Sequence, residues 1–374
     1  MRIKSYLCRD ANEDGWRFSP VNFRQVNLLV GGTGSGKSRL LNTIFNLGSI
    51  VGAKARKQGY WDVTFEHESH TYRWEIDVIP DEGKSFVRRE KLSEITADGE
   101  TILVDRDQSQ FVFNGNALPK LQKDEPSVSL LRNEDSIKPI FQAFSTIQRR
   151  NFDLGALEAA GLLQPIPLEL VRQLQRETDL REVWRAELSL SAVLYLLAEF
   201  FKPIFLAIST HYKSLFPFIV DVSIKDFSEL NRRVTFPGKV PVLCVRERDV
   251  STWITIENLS SGMKKVLLIL TDLYLLPEGG IYLIDEYENS LGVNAVEFLP
   301  SFILSLEKNL QYFITSHHPY LINRIPIQDW YVFHRHGSKV QIKYGNELAE
   351  RFSKSKQQAF IQLINDPFYV HGVQ

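Results

Sequence analysis

Only two cysteines, Cys8 and Cys244, occur among the 374 residues. Two thiols build neither a disulfide framework nor a four-ligand zinc site, so a reducing, cytoplasmic setting is expected. An excess of one charge sign is also missing. Lys and Arg number 44 against 45 Asp and Glu, for a formal net charge of -1. Such a balance announces no nucleic acid, although a neutral protein can still carry a local basic face. The opening residues, MRIKSYLCRDANEDGW, hold no uninterrupted apolar run and do not read as a signal peptide. Long hydrophobic runs are scarce as well: only LSLSAVLYLLAEFFKPIFLAI, residues 188–208, approaches the length of a membrane span. Glu199, Lys202 and Pro203 interrupt it, and charges at that depth are costly in lipid, so a buried, proline-broken helical segment is expected and no membrane partner. No internal repeat or low-complexity tract is present.

What remains is a globular composition, 44% hydrophobic and 24% charged, at a length suited to two domains or to one large domain with an insertion. Its clearest signal is NLLVGGTGSGKSRLLNTI, residues 27–44. An apolar run, Leu28 to Val30, enters a glycine-rich loop, and Leu40, Leu41 and Ile44 recur at helical spacing behind it. Gly31, Gly32, Thr33, Gly34, Ser35, Gly36, Lys37 and Ser38 match G-x-x-x-x-G-K-S without a gap. Small residues let successive backbone N–H groups curl around phosphate oxygens, and the helix N-terminus adds its partial positive charge. Lys37 is expected to reach the outer phosphates of a nucleotide and Ser38 to hold Mg²⁺.

Downstream, YWDVTFEHESHTYRWEIDVIP (residues 60–80) alternates polar and apolar residues and predicts a β-hairpin turning at Glu66 to Ser69. Further strand signals lie in TILVDRDQSQFVFNG. From about residue 156 to 213 the pattern becomes helical, behind Pro165 and Pro167. Alternation returns over residues 240–259, and then helices and strands interchange: a helix from about Ser261, the strand GIYLID, a helix through VEFLPSFILSLEKN and the strand QYFITS. Strands separated by helices imply a parallel sheet with helices on its faces. DWYVFHRHGSKVQIKY reads as one further strand on which His334 and His336 alternate.

Three distant stretches add chemistry. GGIYLIDEYENSLG puts Asp285 and Glu286 at the end of an apolar strand, where one carboxylate suits Mg²⁺ and its neighbour suits polarising the attacking water. ENLSSGMKKVLLIL places Ser260, Ser261 and Gly262 at a helix start, a cap and a second anion site. YFITSHHPYL puts His317 just past another apolar strand, where a histidine can contact a γ-phosphate and sense its loss. Each alone has an ordinary structural explanation. Basic clusters are modest: KARK at 54–57, RREK at 88–91 and HRHGSK at 334–339 are read as solvated faces.

As a set, these elements resemble the ABC-type ATPases, and within them the branch that includes the SMC and RecF heads and the OLD-like AAA family. That family reads L-S-S-G at its signature, D-E-x-E-N at its Walker B and D-loop, and T-x-H-x-P at its switch; Leu259 to Gly262, Asp285 to Asn289 and Thr315 to Pro319 match. Gly292 stands where the D-loop usually has His or Asp after its Leu. The resemblance implies an α/β head, a P-loop NTPase sheet with flanking helices and an antiparallel β subdomain. Residues 1–150 and 236–374 would form its two lobes and 151–235 a mainly helical insert. It implies ATP and Mg²⁺ as cofactors, with Ser38 and Asp285 as metal ligands, Glu286 as the catalytic carboxylate and His317 as the switch. It further implies head-to-tail pairing of two copies, so that each ATP lies between the cradle of one and the signature serine of the other. The glutamine completing the Mg²⁺ shell stays open among Gln108, Gln110, Gln142 and Gln148. With about 55 residues after His317 and no DxD-type cluster, an ATPase lacking its own nuclease domain is expected. By this analogy it would sense or scaffold for a separately encoded effector such as a nuclease, in bacterial antiphage defence. Two alternatives stand beside it: a RecF-like DNA-binding ATPase of repair or recombination, and a nearly static ATP clamp.

Overall fold

The structure is a computed structural model that describes residues 1–374 except 53–56, 82–83, 120–121, 151, 153–154, 156–157, 159–160, 232, 234–235, 237, 350–355 and 373–374. Its contacts divide the chain into two units. The first comprises Met1–Arg150, Glu278–Tyr287 and Glu307–Gln374, and the second Asn151–Pro277 and Glu288–Leu306.

The first unit is built on one long mixed sheet. Strands β1 (Arg2–Arg9), β2 (Arg17–Phe18), β3 (Val21–Asn22) and β4 (Val26–Gly31) precede helix α1 (Lys37–Val51). Next come β5 (Gly59–His67), β6 (His70–Asp81), β7 (Lys84–Thr96), β8 (Gly99–Arg106), β9 (Phe111–Phe113) and β10 (Asn116–Ala117), an antiparallel meander running out from β1. Its first hairpin turns at Glu68 and Ser69, both at positive φ, inside the span that alternation marked. Strand β11 (Ile147–Arg150) then joins the opposite edge.

β12 (Ile219–Asp226), β13 (Pro241–Glu247) and β14 (Ile254–Thr255) belong to the second unit. Thereafter the first unit's sheet is completed by β15 (Ile281–Ile284), β16 (Gln311–Thr315), β17 (Trp330–His336) and β18 (Lys339–Tyr344). Strands β17, β4, β16, β15 and β11 run parallel to their neighbours in that order. Three of them, β4, β15 and β16, are buried along their whole length, as strands covered on both faces must be. α1 covers this region with Leu40, Leu41, Ile44, Leu47 and Val51, all fully buried at spacings of three and four. Under the meander, Trp74 and Phe65 each meet Phe144 with ring centroids 5.0 Å apart.

In the second unit, the apolar segment at 188–208 breaks as its proline demands: one helix runs Leu190–Phe200 and the next Lys202–Leu215, with Pro203 in its first turn. Helix Ser261–Leu275 packs on the latter. β12, β13 and β14 form a separate three-stranded antiparallel sheet. Two expectations are revised here. The helical stretch ends at Leu215, and β12 pairs with β13 across residue 235, where the helical insert was expected to end. β12 is too short and too polar (IVDVSIKD) to be separated from a helix by period alone. Likewise, the span 329–344 is a hairpin folded at Gly337 (φ +59°), so His334 and His336 belong to its first strand only. No helix among the described residues is long and apolar enough to cross a membrane.

Candidate nucleotide-binding site

The loop after β4 takes its shape from its glycines. Gly31, Gly34 and Gly36 have φ of +155°, +77° and +104°, a region that side chains avoid. A Cβ on Gly31 would lie 2.6 Å from the Phe333 carbonyl oxygen, so only glycine lets β4 turn this close to β17. Lys37, the first residue of α1, is 6% exposed and folds back over the loop. Its Nζ donates to the carbonyl oxygens of Gly31 (2.7 Å) and Gly32 (3.1 Å). A buried ammonium closing a ring of backbone carbonyls, with N–H groups of a helix start beside it, is an anion cradle of fixed form. Ser38 follows on the exposed side.

The parallel strands bring the other groups to this place by register. β4, β16 and β15 are neighbours, and their carboxyl ends lie side by side, the position where open α/β sheets hold ligands. Asp285, one residue past β15, is 8% exposed. Its Oδ1 accepts from Ser38 Oγ at 2.9 Å and from Thr315 Oγ1 at 2.7 Å. Thr315 Oγ1 in turn accepts the Glu286 backbone N–H at 2.7 Å, and the Thr315 carbonyl accepts from Tyr287 at 3.1 Å. Glu286 is thereby held with φ of +47°, uncommon outside glycine, and is exposed where Asp285 and Tyr287 on either side of it are buried. A residue held at an unfavourable φ by its neighbours' hydrogen bonds marks a place where side-chain direction matters.

His317 and His318 divide their work. His318 caps the short helix Pro319–Arg324, its ring nitrogen accepting from the Tyr320 N–H. His317 stays exposed, two residues beyond the buried end of β16.

Ser260, Ser261 and Gly262 lie in the second unit. Ser260 caps helix Ser261–Leu275, its Oγ accepting from the Met263 N–H at 3.3 Å, while both serines are exposed. The helix start is fastened to the loop following Tyr287. A Cβ on Gly262 would come 2.3 Å from the Ser290 carbonyl oxygen. Lys265, fully buried, donates to the Asn289 carbonyl at 2.8 Å and stands over the Phe152 ring.

A family model described as "AAA domain, putative AbiEii toxin, Type IV TA system" matches residues 26–323, most of the chain and all of the motifs just described. The chain belongs to this AAA family. Solved structures resemble it in fold. One is an Smc head bound to the C-winged helix domain of ScpA (TM-score 0.54, 14% identity, covering 94% of this chain and 100% of that one). Another is an Smc head domain with an extended coiled coil, bound to the C-terminal domain of ScpA derived from Pyrococcus furiosus (TM-score 0.50, 12% identity, covering 94% and 98%). No curated protein matches. The protein thus carries a P-loop nucleotide-binding AAA domain, and its mixed α/β fold is that of SMC heads.

In this AAA domain, the four glutamines left open for the Mg²⁺ shell are spread over different elements. Gln142 lies on the helix Lys138–Phe144, and Gln108 and Gln110 lie in the loop between β8 and β9. Gln148 is on β11, but the side chain from β11 that reaches Asp285 is its neighbour Arg149, with Nη2 3.2 Å from Oδ2. Trp16, on the β1–β2 turn, was also missed. Its ring lies 3.0 Å from a Cβ built on Gly36, with Arg39 and Arg335 guanidiniums 4.9 and 4.8 Å from its centroid. A lone tryptophan between glycine and arginine gave no sign of this. Within the RREK cluster, Arg88 pairs with Asp77 and Lys91 with Glu100. Of KARK, residues 54–56 lie outside the described residues.

Proposed function

We propose that the protein is an ATP-hydrolysing head that closes with a second copy, head to tail, when ATP binds and reopens on hydrolysis. The observation that carries this reading is the hydrogen-bonded chain Ser38, Asp285, Thr315, Glu286 at the ends of adjacent parallel strands, immediately beside the cradle. Phosphoryl transfer to water asks for little covalent chemistry and much positioning. The Ser38 hydroxyl and the Asp285 carboxylate are the hard oxygen donors that suit Mg²⁺, and they would hold it. Once bound, the ion neutralises charge on the phosphates. Glu286 accepts the proton of the attacking water. His317 contacts the terminal phosphate. The start of helix Ser261–Leu275 in one copy, with Ser260, Ser261 and Gly262, supplies anion-binding N–H groups to the ATP of the other, which gives a reason for a second such helix start in one chain.

In biology, the head acts as a sensor or scaffold for a separately encoded effector, a nuclease by preference, in bacterial antiphage defence. A family described with a putative toxin and a Type IV TA system fits a defence role. Smc heads in the similar structures are bound to a partner protein, which fits a scaffold.

The test has two stages. Purified protein should release phosphate from ATP, and Lys37→Ala should bind no nucleotide; retained binding would overturn the site assignment. Tagged Glu286→Gln protein recovered from its native cells should then carry a stoichiometric second protein by mass spectrometry. Nucleic acid without a protein partner would favour the RecF-like alternative instead.

A further inference from the structure

The Asp285 carboxylate has both oxygens engaged, and one of them by a cation of the chain itself. Oδ1 takes the hydroxyls of Ser38 and Thr315, and Oδ2 takes Arg149 Nη2 at 3.2 Å. Arg149 sits on β11 in parallel register with Leu283 of β15, two residues before Asp285. Its Nη1 donates to Asn42 Oδ1 on α1, so the guanidinium joins the cradle helix to the Asp285 strand end. Its Nε is buried without a hydrogen-bond partner among the described residues. Gln148, next along the strand, projects to the opposite face by the two-residue period.

A guanidinium offers five donors and no acceptor, so it cannot ligate a cation as a glutamine oxygen can. It does match phosphate oxygens, in a planar, permanently charged fork. Asp285 Oδ1 is one hydrogen bond from Ser38, and Ser38 is next to Lys37, so Arg149 stands at the mouth of the cradle with a donor unused.

We propose that Arg149 is a phosphate-binding and positioning residue of this site. It neutralises Asp285 while the cradle holds no nucleotide and, steadied by Asn42, donates to phosphate oxygens once nucleotide enters. Nucleotide binding in this chain therefore depends less on Mg²⁺ than it does with glutamine in the same place. The inference rests on the nucleotide-site reading above.

The experiment measures the ATP dissociation constant by titration calorimetry, in Mg²⁺ and in EDTA, for the wild type, Arg149→Gln, Arg149→Lys and Asn42→Ala. The expected result is that Arg149→Gln raises the ratio of the EDTA constant to the Mg²⁺ constant at least tenfold over wild type, with Arg149→Lys losing less because it keeps the charge. Asn42→Ala, which leaves Asp285 and its strand untouched, should move the ratio in the same direction and decides the matter if Arg149→Gln does not fold. An unchanged ratio in folded Arg149→Gln, beside normal wild-type binding in Mg²⁺, overturns the role of Arg149 alone. No wild-type binding in either condition overturns the nucleotide reading, and this inference with it.

Discussion

Ser38 and Asp285, 247 residues apart in the chain, are joined by a 2.9 Å hydrogen bond from the serine hydroxyl to the carboxylate. One is the last residue of the phosphate loop motif and the other ends a strand whose neighbours are parallel, so the bond exists only because β4, β16 and β15 lie in register. Removing the hydroxyl should leave the fold intact, because Ser38 is exposed. Ser38→Ala is expected to weaken ATP binding in Mg²⁺ by about tenfold, near 1.4 kcal/mol, and to leave binding in EDTA unchanged. Calorimetric titration in the two conditions checks this; equal losses in both would deny Ser38 a part in holding the metal.

Glu286 makes a different prediction, because its backbone and side chain have different tasks. The N–H is bonded to Thr315 Oγ1 and the carboxylate is at an exposed position. Glu286→Gln keeps the backbone bond and nearly the shape, and removes the carboxylate proposed as the base. Phosphate release should fall by about 10²- to 10⁴-fold, the usual worth of a positioned general base, while ATP stays bound and a dimer accumulates in size-exclusion chromatography with light scattering. Equal rates and equal elution for mutant and wild type would favour the static clamp.

Much of this arrangement was legible in the sequence, and the division has a physical basis. The cradle was readable because eight consecutive residues satisfy one geometric demand, and β5–β6 because a half-buried hairpin must alternate. Asp285 and Glu286 were readable from the end of an apolar strand. Thr315 was matched as part of a motif, but its hydroxyl bridging Asp285 to Glu286 depends on the register of two strands, which no local pattern carries. The contact of Arg149 with Asp285 was hidden for the same reason, since it depends on the register of β11 beside β15. Gly337 looked like part of a strand because polar residues alternate on both sides of it.

Lys308 should leave a mark on the pH dependence of stability. Burial pushes its ammonium down from the ordinary lysine range to about 8, against the smaller attraction of Glu278. A group with a depressed folded-state pKa contributes stability that is present above its unfolded value, near 10.5, and is lost as pH falls through about 8. At pH 7 the folded state therefore carries a partly desolvated charge at a cost. Lys308→Met should raise the Tm at pH 7, with the gap to wild type closing between pH 8 and pH 10.5. A gap that is constant across that range would mean the gain came from packing.

Gly262 offers the sharpest separation of stability from function. A Cβ there meets the Ser290 carbonyl oxygen at 2.3 Å, and that atom is backbone, in a residue already held at a φ of +65°. The loop cannot yield cheaply, since Lys265 ties the adjacent Asn289 carbonyl to the same helix. Gly262→Ala should therefore destabilise the second unit by about 1–3 kcal/mol, as overpacking does elsewhere, visible as a lower first transition in thermal unfolding. Ser261, one residue earlier, is exposed. Ser261→Ala should stay within about 0.5 kcal/mol of wild type and yet reduce ATP-dependent dimerisation, because in the proposed head-to-tail pair its place at the helix start would face the phosphates of the second copy. If Ser261→Ala dimerises and turns over ATP normally, this helix start is a structural cap, and the head-to-tail arrangement loses its second anion site.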